Sequence, residues 1–149
     1  MRIAIGADHA GWALKELLKP ELLAAGYEVI DVGAHVYDRE DDYPDSAAAV
    51  ARLVATGQAE KGILACGSGV GASIAANKVK GARACLCHDI YSAVQGVEHD
   101  DMNILCLGGA IVGPALARKL VDGFLAARFL PEVRFRRRLE KVLALEEAV

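Results

Sequence analysis

Residues 63–78 read ILACGSGVGASIAANK and set a thiol where it could do chemistry. The apolar run Ile63-Leu64-Ala65 ends in Cys66, and Gly67, Ser68, Gly69, Val70 and Gly71 lead into a helical pattern. Glycines after a strand let successive N–H groups curl inward. The helix that follows adds its own unpaired N–H groups and its positive end, so the segment reads as an anion cradle. The plain alternative is a tight strand-to-helix turn, but the glycines at 67, 69 and 71 are more than such a turn needs.

Three occupants of the cradle can be weighed. The P-loop pattern is absent, and the arginine that a cysteine phosphatase loop carries after its cysteine is replaced by Ala72. Gly67-x-Gly69-x-x-Ala72, with Asp89 about 20 residues on, fits a dinucleotide-binding fingerprint. That match lies on the third strand rather than the first and leaves Cys66 without a task, although a nucleotide-binding module stays open as an alternative. The third occupant is an oxyanion that forms during reaction. A thiol beside a helix N-terminus favours its thiolate, and a base beside a cradle of N–H donors suits proton abstraction next to a carbonyl. The product of that step is an enediolate, the intermediate of aldose–ketose isomerisation, and it needs no metal or cofactor.

Other polar residues fall near the ends of strand-like runs: Asp8 and His9 past the first, His88 and Asp89 past the fourth. Taken singly, His9 and His99 are more often surface histidines than site residues. The acidic run Asp38 to Asp45 reads as a solvated loop with Tyr43 turned inward. Arg134, Arg136, Arg137 and Arg138 crowd the start of the last helical stretch, where cations oppose the helix dipole unless an anion offsets them. Arg134 and Arg138, one turn apart on one face, could grip a single phosphate. Arg136 and Arg137 read as a solvated basic face.

The elements that must carry these residues alternate. Strands are expected at 2–6, 28–32, 61–66, 83–87 and 103–107. Helices are expected at 11–25 (kinked at Pro20), from Asp45 or Ser46 to Thr56, at 70–79, at 89–98, from Pro114 to about 129, and from about Glu132 onward. Alternation of this kind implies a parallel sheet covered by helices on both faces. The expectation is a single domain over 1–149, a five-stranded Rossmann-like, three-layer α/β sandwich of flavodoxin-like strand order. Ligands in such sheets bind beyond the carboxyl ends of the strands at the switch point, where Asp8, His9 and Cys66 fall.

The totals exclude several classes. A chain of 149 residues, 54% hydrophobic, can bury a core without disulfides or a structural metal. Net charge is −3 and basic residues are dispersed until the C-terminus, which argues against nucleic acid as partner. No apolar stretch reaches the roughly 18 residues of a membrane span. The N-terminus reads as a strand rather than a signal peptide, so a cytoplasmic location with reduced thiols is expected. Cys85, Cys87 and Cys106 lack metal-site spacing, sit in apolar runs and are expected to pack as small hydrophobes.

Five motifs together are specific. GADHAG (6–11), DDYPD (41–45), GILACGSGVGASIAANK (62–78), CHDIYSA (87–93) and EHDDMNILCLG (98–108) resemble the type B ribose-5-phosphate isomerase family, which includes galactose-6-phosphate isomerase subunits. The resemblance covers nearly the whole chain in order. It implies a cofactor-free isomerase of ribose 5-phosphate and ribulose 5-phosphate, or of another pentose or hexose phosphate of the allose or galactose 6-phosphate type. A member that binds a sugar phosphate without turning it over is the remaining alternative.

By that resemblance Cys66 moves the proton between C1 and C2, and Gly67, Ser68, Gly69, Val70 and Gly71 hold the enediolate. The Ser68 hydroxyl relays a proton, and His99 opens the sugar ring. Asp8, His9, Tyr43 and Asp100 contact substrate, with His9 near the phosphate. The family's paired phosphate arginines, here Arg134 and Arg138, come from the neighbouring subunit of a homodimer or homotetramer with shared sites, so the C-terminal helix is expected to reach a partner. Three positions depart from the family pattern: Asp100 where Asn is common, Ala110 where Arg is common, and Phe135 where His is common.

Overall fold

The computed structural model of this chain describes residues 1–147. β1 (Arg2–Ala7) leads through Asp8 into α1 (His9–Ala24), whose first turn is capped by the Asp8 carboxylate accepting from Gly11 N–H at 3.0 Å. α1 begins before residue 11 and runs through Pro20 as one helix. β2 (Glu28–Asp31) is followed by a long loop and α2 (Tyr43–Ala55). α2 starts at Tyr43, with Asp42 at its N-cap, not at Asp45 or Ser46, because Pro44 fits the first turn, where a missing N–H goes unnoticed.

β3 (Lys61–Cys66) has the bounds expected of it and is buried throughout. α3 (Val70–Ala76) stops short of residue 79. Asn77 ends it by turning its side-chain amide to the next strand, donating to Ala84 O at 2.8 Å and accepting from Ala84 N–H at 2.9 Å. β4 (Ala84–Leu86), α4 (Ile90–Asp100), β5 (Ile104–Gly108), α5 (Pro114–Ala126) and α6 (Val133–Glu147) complete the described chain.

All strand pairs are parallel, in the order β2-β1-β3-β5-β4. The three-layer α/β class is the one expected, with one correction. Flavodoxin-like order would run 2-1-3-4-5, but here β5 lies beside β3 and β4 takes the edge. Burial explains the exchange: β5 is buried at every position, whereas β4 is short and leaves Cys85 exposed. The longer, wholly apolar strand gains more from a central place.

Side chains alternate across the sheet into two cores. Ile3, Ile5, Ile63, Leu105 and Leu107 pack with α1, α4 and α5. Ala4, Leu64, Cys66, Ile104 and Cys106 pack with α2 and α3. α1 therefore leaves β1 on one face and α3 leaves β3 on the other, which opens a crevice at the carboxyl ends of these two neighbours.

Contacts from α1 hold the end of β2 and the loop after it against the body. Lys15 is fully buried on α1, and its ammonium donates to both oxygens of Asp31 at 2.9 Å, joined by Lys19 at 2.7 Å. Burial alone would raise the Asp31 carboxyl. Hydrogen bonds from Lys19, Lys15 and Gly33 N–H outweigh it and hold the group down at about 2. Further on, the Tyr37 ring stands edge-on to both Trp12 and His9 of α1, each at 6.2 Å.

Candidate active site

Cys66 is the last residue of β3 and is 4% exposed. Its Sγ accepts from Gly69 N–H at 3.1 Å, so the arc folds back over the sulfur. That geometry requires Gly69 at φ 83°, where a Cβ would also lie 2.4 Å from the Leu86 side chain. Ser68 is exposed, and its hydroxyl oxygen accepts from Val70 N–H at 3.3 Å. Gly71 and Ala72 hold the second and third positions of α3, whose N–H groups have no intrahelical acceptor. Tyr43 lies across this turn: a Cβ on Gly71 would come within 2.6 Å of its ring. The arc thus presents a thiol, a hydroxyl and N–H donors to one space.

α1 brings its N-terminus to the same place. At Gly11 a side chain would collide with Ala65 O at 2.1 Å, so only glycine lets the helix start so close to the end of β3. The turn after β5 closes the third side through Gly109 N–H to Cys66 O (2.7 Å) and Ala110 N–H to Gly67 O (3.0 Å). The fold therefore gathers Asp8, His9, Tyr43, Cys66, Gly67, Ser68, Gly69, Val70 and Gly71 at the carboxyl ends of β1 and β3. His9 pairs through Nδ1 with Asp41 Oδ1 at 2.6 Å, and that hydrogen bond raises the imidazole above its ordinary value although partial burial opposes it. Of the side chains gathered here only His9 can be cationic.

The remaining expected residues lie elsewhere. α4 starts just beyond β4 and, at about 1.5 Å per residue, carries the chain roughly 15 Å towards the opposite end of the sheet. His99 and Asp100 end that helix. The chain then enters β5 at Ile104, which pairs with Gly62, whereas Cys66 pairs with Gly108 at the other end. So His99 does not meet Cys66 within one chain. It meets α6 instead: its ring stacks on buried Phe135 at 3.9 Å and 18°, and its Nδ1 lies 2.9 Å from Gln95 Nε2. Arg134 stands over the other part of this pair, its Cζ 4.5 Å from the Phe135 ring, with Glu132 3.0 Å from its Nε. Arg138 is exposed one turn on.

Phe135, which departs from the family pattern, thus acts as the platform on which His99 lies. Asp100 is exposed on the rim of a cleft of about 430 Å³ between β4, α4 and α6.

The other cysteines divide. Cys87 and Cys106 are buried, and their thiols are pushed up, Cys87 by its hydrogen bond with Cys85 and Cys106 by burial. Cys85 is exposed on the edge strand rather than packed, and that same hydrogen bond lowers it. Cys85 is thus the one exposed thiol of the four. His88 accepts from Gly108 N–H at 3.3 Å and supports the end of β5. Two residues around the site escaped the sequence: Asp41, one acid among many in its loop, and Gln95, one turn before His99 on α4.

The profile of a family described as Ribose/Galactose Isomerase matches residues 3–142. The chain is 44% identical over 146 residues to "Ribose-5-phosphate isomerase B" of Escherichia coli K12, covering 98% of this chain and 97% of the relative. It is 41% identical over 150 residues to "D-erythrulose-4-phosphate isomerase 2" of Mycolicibacterium smegmatis, covering 99% of both. Among solved structures, ribose-5-phosphate isomerase B from Mycoplasma genitalium with bound ribulose-5-phosphate superposes with a TM-score of 0.94 at 39% identity, covering 99% of this chain and 97% of that one.

Proposed function

This chain belongs to the ribose/galactose isomerase family, and from that premise we propose that its substrate pair is ribose 5-phosphate and ribulose 5-phosphate, handled at sites each shared by two copies of the chain. That it is an aldose–ketose isomerase of sugar phosphates follows from its relatives. The observation that carries the shared site is the division of the chemistry. The Cys66 cluster has base, hydroxyl and N–H donors but only one possible cation. The α4–α6 cluster has a histidine and two arginines but no cradle.

A two-fold dimer formed through the β4 edge would set the carboxyl end of one sheet against the opposite end of the other. The exposed apolar residues Val70 and Ile74 on α3 and Ile90 and Tyr91 on α4 flank that edge and suit such a contact.

In this reading His99 of one copy gives a proton to the ring oxygen of the cyclic aldose as the C1–O bond to it breaks, and the C1 hydroxyl releases its proton to solvent, which leaves the open-chain aldehyde. Arg134 and Arg138 of the same copy hold the phosphate with His9 of the other. Cys66 then removes the proton from C2 as a thiolate. The charge that moves onto O1 is met by the N–H groups of the arc, to which Gly71 and Ala72 contribute. Ser68 passes a proton between O2 and O1, and the thiol returns its proton to C1, which gives the ketose. Proton count and charge balance with no cofactor. Tyr43 closes the space above the arc and keeps water from the enediolate.

The test is turnover across tetrose, pentose and hexose phosphates. Ribose 5-phosphate is expected to give the highest kcat/KM. A tetrose or hexose phosphate preferred by tenfold or more would reassign the substrate within the same chemistry. No interconversion with any of them would favour the binding-module reading.

Ala110 supplies a second test. It is exposed on the turn whose N–H binds Gly67 O at 3.0 Å, next to the arc. Ala110→Arg is expected to lower KM for ribose 5-phosphate about tenfold, since a well-placed charged hydrogen bond contributes roughly 1.5–3 kcal/mol. An unchanged KM would mean that the phosphate lies out of reach of this turn.

A further inference from the structure

The acidic loop after β2 has one carboxylate turned inward. Asp41 Oδ1 accepts from the backbone N–H of His9 at 2.8 Å and lies 2.6 Å from His9 Nδ1. A carboxylate is an acceptor only, so Nδ1 carries the hydrogen of that contact and Nε2 is the one ring nitrogen left for a ligand. The same carboxylate fixes the ring and the residue that bears it, across 32 positions of sequence. Two residues later the loop becomes α2 with Tyr43, so Asp41 also sets the place of the tyrosine over Gly71.

The groups bearing on His9 are Asp41 from the loop, Asp8 from the β1–α1 turn, and the edge of Tyr37. Both charged ones are anions, and both favour the imidazolium.

We propose that Asp41 is a positioning residue that holds His9 in its cationic form with Nε2–H as the free donor, and thereby gives the Cys66 half of the site its one charge for a phosphate monoester. The role rests on the sugar-phosphate reading above, in which His9 meets the phosphate. Raised above its ordinary value, His9 stays charged at a pH where a free histidine has lost its proton. Without the carboxylate that advantage goes, and one unit of lost shift is a tenfold loss of the charged form on the alkaline side.

The experiment uses the full-length protein and its Asp41→Asn variant, similar in size and checked for an unchanged melting temperature. Imidazole nitrogen NMR on the free enzyme is expected to show Nδ1 protonated in wild type. In the variant the His9 titration should move to lower pH and the tautomers should mix. Steady-state kinetics with ribose 5-phosphate should show KM in the variant about three- to tenfold higher at pH 8 and close to wild type at pH 5.5, where His9 is charged in both, with kcat altered less than KM. In a His9→Gln background, Asp41→Asn should add nothing further to KM.

An unmoved His9 titration in the variant would overturn the positioning role. A KM penalty independent of pH, or one that persists in the His9→Gln background, would also overturn it and make Asp41 a structural tie for the loop. A shifted titration with KM unmoved at every pH would overturn the functional half and place the failure in the contact between His9 and phosphate. Loss of interconversion by wild type itself would instead count against the isomerase reading.

Discussion

Cys66→Ala is expected to keep the fold and KM for ribose 5-phosphate within a few-fold, and to lower kcat by about 10²–10⁴, the usual loss when a positioned base is removed. The proposed mechanism predicts this split because the thiol takes the proton from C2, while the N–H donors that meet charge belong to the backbone and survive the substitution. The sulfur is nearly buried and accepts from Gly69 N–H, so its loss also has a packing component of roughly 1 kcal/mol. Cys106→Ala measures that component separately. Cys106 is fully buried on the same side of the sheet and takes no part in the chemistry. Its alanine variant is expected to lose stability of the same order and to retain activity within a few-fold. Activity of Cys66→Ala within a few-fold of wild type, at equal stability, would remove the thiol from the mechanism.

The arc could be read in the sequence because everything it needs is local. An apolar strand, a thiol and closely spaced glycines lie within one stretch, and the fold confirms the bounds of β3 to the residue. The ends of α1, α2 and α3 were less legible. α1 starts at His9 because the Asp8 side chain caps it, α2 starts after Asp42 rather than at Asp45 or Ser46 because Pro44 fits its first turn, and α3 is ended by the long-range bond of Asn77 to β4. The order of the last two strands was not legible either, because β4 and β5 have similar apolar composition. What separates them is total burial, a property of the assembled sheet.

Asp41 is hidden for a related reason. In a run of acids one carboxylate looks like the next, and only the folded loop shows which faces His9. The sequence also gave no sign that His99 shares a cluster with Arg134 rather than with Cys66. That follows from the length of α4, which carries His99 to the far end of the sheet, and from the stack of His99 on Phe135.

The shared site has one direct test, subunit mixing between a Cys66→Ala chain and an Arg134→Ala, Arg138→Ala chain. Each variant alone is expected to be nearly inactive. The first lacks its base, and the second lacks the phosphate cations of a site that has only His9 besides. In a mixed dimer one site collects both defects. The other combines an intact Cys66 from one chain with intact arginines from its partner. Random mixing makes half of the dimers mixed, each with one sound site of two, so roughly a quarter of wild-type activity should return on co-refolding. The measurement is ribose 5-phosphate turnover of the refolded mixture, with subunit exchange verified by a tag on one chain. Recovery near one quarter is the result that sites built from two chains require. No recovery despite proven exchange would contradict the account, placing Arg134 and Arg138 in the site of their own chain or outside it altogether.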